Sequence, residues 1–100
     1  MLFRHGDVLV ASIKDKELPS GARLQPHTTL AKGEITGHSH RVAEPNAAEL
    51  WQHSGLLFLK VIAEQATLIH EEHKAIVLPK GSYRVWIQRE YTPAEICNES

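Results

Sequence analysis

Cysteine is nearly absent from this chain, since Cys97 is the only one among 100 residues. A single cysteine can form no internal disulfide, and it cannot build a thiolate cage around zinc. Any metal ion is therefore expected to have nitrogen and oxygen ligands. Cys97 also lies in a terminal segment that is expected to fray, and on a strand Ser39 points away from its histidine neighbours. Neither residue supports nucleophilic catalysis.

Long apolar runs and an excess of one charge are also lacking. No stretch approaches the ~18 apolar residues of a membrane span. Residues 1–6 contain too few apolar side chains to be a signal segment. Eleven basic and twelve acidic residues are scattered along the chain and leave a net charge of −1. Without a positive stripe, electrostatic capture of nucleic acid is not expected. We therefore expect a cytoplasmic protein that binds neither membrane nor nucleic acid.

The length favours a single domain covering residues 1–100. A fold of this size buries roughly two thirds of the surface that its unfolded chain exposes, which is enough for a stable core without disulfides. The apolar content of 42% agrees with a globular chain.

Alternating and β-branched segments recur along the chain and predict an all-β fold. The candidate strands are residues 6–13, 28–30, 34–42, 49–51, 56–63, 66–70, 76–78 and 82–91. Turns are predicted at residues 31–33, 53–55 and 79–81, where glycine, serine and proline cluster. Seven or eight short strands are typical of a sandwich or a small barrel. A single C-terminal helical turn is predicted at residues 92–95, which have the form of a capping box.

Histidine is the residue type in excess, with seven among 100 residues. His38 and His40 are two apart, so on a strand they project from one face, about 7 Å from each other. Val42 shares that face, which indicates that it points inward. Two imidazoles at this spacing can share one metal ion. Neutral imidazole suits zinc, iron, nickel, copper and manganese to differing degrees.

His70 and His73 form a second pair. Three residues apart, they diverge on a strand but converge where a strand ends in a turn. Glu71 and Glu72 lie between them and can complete a metal shell or orient its histidines. The spacing is one residue short of the His-Glu-x-x-His helix of metalloproteases, so that function is rejected.

The other three histidines, His5, His27 and His53, are isolated in the sequence. An isolated histidine is usually a surface residue or a hydrogen-bonded core residue, and we expect these three to be of that kind.

Four segments resemble an uncharacterised family of short bacterial β proteins. They are GEITGHSH at residues 33–40, HEEH at residues 70–73, LPKGSYRV at residues 78–85 and QREY at residues 88–91. The resemblance covers most of the chain and implies no activity.

A looser resemblance is to the cupins. Gly33, His38, His40 and Glu44 match their first motif, although the glycine is one residue closer than usual and no glycine follows Glu44. Their second motif is matched by the proline and glycine of residues 79–81, with arginine at position 84 where the last ligand belongs. The resemblance implies a jelly-roll-like barrel with a metal on His38, His40 and Glu44, and His70 or His73 as a further ligand.

These residues and resemblances are compatible with two alternative functions of different classes. The first is a metal-binding β-barrel that binds or acts on a small molecule, with a divalent transition metal (zinc, iron, nickel or manganese) as cofactor. Its ligands are His38, His40 and one of His70 or His73, and a nearby glutamate is a ligand or general base. If all four of these histidines bind, the shell is closed and the metal is structural.

The second function is a non-catalytic interaction or oligomerisation module of a bacterial multi-component system. The chain is short and has Trp51, Tyr83, Trp86 and Tyr91 available to anchor a homo-oligomer or a protein partner. Core packing is the alternative role of these aromatic residues, more so for Tyr83 than for Trp86.

Overall fold

One curled antiparallel sheet makes up most of the protein. A computed structural model describes residues 1–32 and 37–88. The sheet has eight strands and forms a half-barrel. The strands are β1 (Leu2–His5), β2 (Val8–Ile13), β3 (Arg23–Leu24), β4 (Thr29–Lys32), β5 (Ser39–Val42), β6 (Ala48–His53), β7 (Leu56–His70) and β8 (His73–Ile87). The predicted all-β fold of seven or eight strands is confirmed, whereas the finer jelly-roll, cupin-like expectation stays a prediction.

A long hairpin of β7 and β8 organises the sheet. The main strand order is β1-β2-β8-β7-β5-β4, and β6 pairs with both β7 and β3. The first half of β7 pairs with β6, and its second half pairs with β5. Each half of this one strand therefore holds a different part of the chain in the half-barrel.

The predicted turn at residues 79–81 is wrong, because β8 runs through it without a break. The register of the hairpin shifts between Val61 and Gln65 of β7, opposite Gly81 and Pro79 of β8. Gly81 has a φ of +149°, which favours glycine. Such irregularities bend a strand without ending it. Glycine and proline here mark a bend inside a strand. Residues 76–78 and 82–87, which were predicted to belong to two strands, are both part of β8.

Strand β1 was not predicted, and the strand predicted from residue 6 begins at Val8. Gly6 and Asp7 form a two-residue turn between β1 and β2, with His5 paired to Val8. Gly6 has a φ of +64°, as the first central residue of a type II′ turn requires. This turn holds His5 and Asp7 at the end of the β1–β2 hairpin.

The remaining turns and strands agree in part with the sequence prediction. Ser54 and Gly55 both have positive φ and join β6 to β7, which confirms the hairpin predicted at residues 53–55. Of the strand predicted at residues 34–42, Ser39–Val42 is confirmed, residues 37 and 38 lie outside the strand, and residues 34–36 lie outside the described residues. The helical turn predicted at residues 92–95 lies outside the described residues. Across residues 1–32 and 37–88, no helix has the length and apolar character needed to cross a bilayer.

The core is built from apolar side chains on the inner face of the sheet. Its fully buried members include Val8, Val10, Leu50, Leu59, Val61, Leu68 and Leu78. Burial of each such side chain contributes roughly 1.5–3 kcal/mol relative to exposure. Tyr83 is buried with them and donates a hydrogen bond to the Pro79 carbonyl, which confirms core packing for that residue.

Candidate metal centre

Five histidine rings gather at one end of the half-barrel. His5 ends β1, His38 precedes β5, His40 lies on β5, and His70 and His73 face each other at the tip of the β7–β8 hairpin. Ring centroids are 4.3 Å apart for His40 and His70, 4.6 Å for His70 and His73, and 4.9 Å for His5 and His40. Segments distant in sequence therefore bring their imidazoles into mutual contact.

Strand register explains the contact between His40 and His70. Arg41 pairs with Ile69 across β5 and β7, so the next position of this antiparallel ladder sets His40 beside His70. His70 in turn pairs with His73 across the turn of Glu71 and Glu72. The prediction that His70 and His73 converge at a turn is confirmed.

The structure corrects the prediction that His38 and His40 share one strand face and one ion, because His38 precedes β5 and belongs to a different group of candidate ligands from His40. Both rings lie beside His70, with centroids 5.7 Å away for His38 and 4.3 Å away for His40. His40 is only 3% exposed, so its ring points inward as predicted.

Three of these histidines form the better candidate for a metal site. His40, His70 and His73 each offer one nitrogen, and the three nitrogens lie within 4.8 Å of one another. Bonds of about 2.0–2.1 Å to a tetrahedral ion hold ligand atoms about 3.3–3.4 Å apart. Small ring movements would bring the three nitrogens to this spacing.

A second group of candidate ligands shares His70 and adds His38 and Glu71. The carboxylate of Glu71 accepts a hydrogen bond from the Ser39 amide at 3.0 Å and lies 2.9 Å from the Arg41 guanidinium. The Ser39 hydrogen bond, assisted by the Arg41 charge, holds the pKa of Glu71 below its ordinary value. Because Glu71 is already engaged, this group is the weaker one.

His5 belongs to the cluster, which sequence reasoning missed. It is a buried, hydrogen-bonded residue, as expected of an isolated histidine, but its partner is another histidine. Its Nδ1 lies 2.9 Å from Nδ1 of His40, and its buried Nε2 has no hydrogen-bond partner among the described residues. The missed signal was the pair Gly6-Asp7, because a turn there adds a strand that ends at His5.

Burial controls the protonation of the two innermost rings. It lowers the pKa of His40 from 6.5 to about 4, with help from the nearby His70 and His5 rings and against the opposing charge of Asp7. Burial also lowers the pKa of His5, partly opposed by the Lys74 backbone. Both rings are therefore neutral at pH 7, which is the form that binds metal ions.

The backbone of the hairpin turn contacts His70. The amide of Glu72 donates a hydrogen bond to Nδ1 of His70 at 3.0 Å, and Oε2 of Glu72 lies 3.2 Å from Nδ1 of His38. In the neutral His70 ring the proton is therefore on Nε2. A metal at Nδ1 displaces the Glu72 amide, and a metal at Nε2 moves the ring proton to Nδ1, so either choice breaks this hydrogen bond.

Glu44 lies apart from the ligand groups formed by the described residues. Its two carboxylate oxygens accept hydrogen bonds from the Thr67 amide at 2.8 Å and the Thr67 hydroxyl at 2.6 Å. These two bonds lower the pKa of Glu44. The carboxylate thus ties the end of β5 to β7, and a metal ion would have to compete with Thr67 for it.

An open cleft of about 590 Å³ lies between β4, β6 and β7. Leu30, Leu50 and Leu57 supply apolar walls, and Gln25 and Gln52 supply polar groups. No histidine of the cluster lines this cleft. It does border Ala31, which pairs with His40 across β4 and β5.

The family described as a domain of unknown function, DUF8820, matches residues 4–88. The chain belongs to this family. The expected membership of an uncharacterised family is thus confirmed. All five histidines of the cluster lie within the part matched by DUF8820. No curated protein matches the chain, and no solved structure matches it.

Acidification is expected to destabilise the metal-free protein between pH 6.5 and about 4. An unfolded histidine takes up its proton near pH 6.5, whereas His40 in the folded protein does so near pH 4. The unfolded state binds more protons in this window, so the unfolding free energy falls as the pH falls. Urea denaturation in chelator at several pH values measures the slope. His40→Gln should reduce it between pH 6.5 and 4.5, and an unchanged slope would contradict the prediction.

Replacement of Gly6 by alanine should destabilise the protein in two ways, by straining the turn and by displacing the His73 ring. A Cβ on Gly6 would lie 2.7 Å from Nε2 of His73, and its φ of +64° disfavours side chains. Gly55→Ala is the matched control, because Gly55 has a φ of +80° but open space around it. Strain alone costs about 1–3 kcal/mol in either variant. Urea denaturation should show a larger loss of unfolding free energy for Gly6→Ala, and equal losses would disprove the clash.

Proposed function

We propose that this protein binds one divalent transition metal ion through His40, His70 and His73 and presents it to a small-molecule ligand or substrate. The observation that carries the proposal is the meeting of three imidazole nitrogens from β5, β7 and β8 within 4.8 Å. The burial of His40, which is 3% exposed, supports it as well, because a buried polar ring needs partners for its nitrogens.

The donor set favours particular metals. Imidazole nitrogens suit zinc, iron, nickel and manganese, whereas magnesium and calcium prefer oxygen ligands. Three protein ligands leave at least one further coordination position on each of these ions. A metal with an exchangeable position can bind and polarise a small molecule, which is the first step of metal-assisted chemistry.

The exposure of the three rings supports access from solvent. His40 is buried, His70 is half-buried and His73 is exposed, so one side of the ion would face outward. The cleft borders Ala31, which lies on β4 and pairs with His40 of β5. Its apolar walls could hold the body of a ligand near the metal ion. Small-molecule sites commonly combine such walls with a few polar groups.

Metal titration tests the proposal on protein purified without a histidine tag and stripped with chelator. Zinc or cobalt should bind with one equivalent per chain, and zinc should raise the melting temperature. His73→Gln removes an exposed ligand and should weaken binding by at least about 100-fold. His27→Gln is the control, because His27 lies outside the cluster and accepts a hydrogen bond from the Thr29 amide. Binding of less than about a tenth of an equivalent, with no thermal stabilisation, would refute the function.

Metal binding should also change the turn between β7 and β8. The Glu72 amide donates to Nδ1 of His70, and a metal on either nitrogen of that ring breaks the bond. The amide proton of Glu72 should therefore shift upfield in the NMR spectrum when zinc is added. The Thr29 amide, which donates to His27, is the internal control and should not shift. An unchanged Glu72 signal in zinc-loaded protein would exclude His70 as a ligand.

A further inference from the structure

Asp7 places a carboxylate at the solvent-facing edge of the histidine cluster. It lies in the turn between β1 and β2, and its Oδ1 is 3.4 Å from Nε2 of His40. The side chain of Asp7 is 62% exposed, whereas that of His40 is 4% exposed. The buried ring thus directs Nε2 towards a carboxylate that approaches from the solvent side.

This contact is long for an ion pair and matches the spacing of two ligands on one ion. Asp7 belongs to neither group of described residues whose ligand atoms lie within 4.8 Å of one another, so its exposed side chain would have to turn towards His70 and His73 to share their ion. A charge-assisted hydrogen bond is shorter, about 2.7–2.9 Å. Two ligand atoms on one ion are about 3.0 Å apart at a right angle and about 3.4 Å apart in a tetrahedron.

The other carboxylates near the cluster have partners. Glu44 is bound to Thr67, Glu71 to Ser39 and Arg41, and Glu72 lies against His38. Among the described residues, Asp7 has no lysine or arginine within ion-pair distance. It is therefore the carboxylate most available to a metal ion held by His40.

His5 contacts His40 from the buried side of the cluster, opposite Asp7. The bond of 2.9 Å between Nδ1 of His5 and Nδ1 of His40 requires a proton on one of the two atoms. If Nε2 of His40 binds a metal, its ring proton is on Nδ1 and is donated to His5. A hydrogen-bond acceptor behind a ligand histidine fixes the tautomer and the ring orientation in this way.

We propose that Asp7 is the fourth protein ligand of the metal centre and that His5 is a positioning residue for His40. This inference rests on the proposed function. It also narrows that function, because three nitrogens and one carboxylate oxygen leave two positions on a six-coordinate ion and none on tetrahedral zinc. Binding of a small molecule at the metal therefore calls for a six-coordinate ion such as iron, nickel or manganese.

The role of Asp7 is tested with Asp7→Asn, which keeps a residue that hairpin turns tolerate. Metal affinity, measured by competition with a chromophoric chelator, should fall about 10- to 100-fold, and the visible spectrum of bound cobalt should change. Glu64→Gln removes one exposed negative charge elsewhere and should leave both unchanged. If wild-type protein binds no metal, the proposed function fails. If it binds metal and Asp7→Asn matches it in affinity and spectrum, only the ligand role of Asp7 fails.

The role of His5 is tested by comparing His5→Gln with His5→Phe. Glutamine keeps an oxygen that can accept from His40, whereas phenylalanine fills space without an acceptor. Metal affinity should fall about 10-fold in His5→Phe and be largely restored in His5→Gln. In zinc-loaded wild-type protein, the ring ¹⁵N shifts of His40 should show the proton on Nδ1. Equal affinities for the two variants, or a proton on Nε2, would overturn the role.

Discussion

The hydrogen-bonded register of β5, β7 and β8 is the constraint on which the histidine cluster depends. It sets His40 beside His70 and His70 beside His73, so the positions of three imidazoles follow from backbone pairing. A slip of one residue would turn each strand's side chains to the opposite face and disperse the rings. Glu44 supports the register, because its carboxylate bonds to both the amide and the hydroxyl of Thr67. A residue that resembles a metal ligand in sequence thus holds together the strands that carry the candidate ligands.

The second requirement is the approach of the β1–β2 hairpin to the tip of the β7–β8 hairpin. Gly6 lies so close to Nε2 of His73 that a Cβ at Gly6 would force the His73 ring to move. The same turn places His5 against His40 on the buried side and Asp7 near His40 on the exposed side. The end of the half-barrel therefore combines the N-terminal hairpin with the centre of the chain, and neither part holds the cluster alone.

Burial then decides the chemistry of these rings. Removal from water makes the protonated form costly, and it keeps His40 and His5 neutral at physiological pH. A proton does not compete for their lone pairs there, so a metal ion can. At the rim, Arg41 pairs with Glu71, and the Glu72 carboxylate lies against His38. The interior of the cluster is therefore uncharged, and the carboxylates of Glu71 and Glu72 lie at its rim.

Local pattern by itself determined the strand content, the hairpin at Ser54 and Gly55, the inward face of His40 and the convergence of His70 with His73. These follow from alternation and turn chemistry over a few residues, which the chain carries in its order. Only the tertiary structure decided that Pro79 and Gly81 bend a strand without ending it, that Glu44 bonds to Thr67, and that His5 and Asp7 reach His40. Those outcomes depend on which strands pair and in what register. That pairing is decided by the packing of the whole core and joins residues far apart in sequence. His5 and His40, for example, are 35 positions apart.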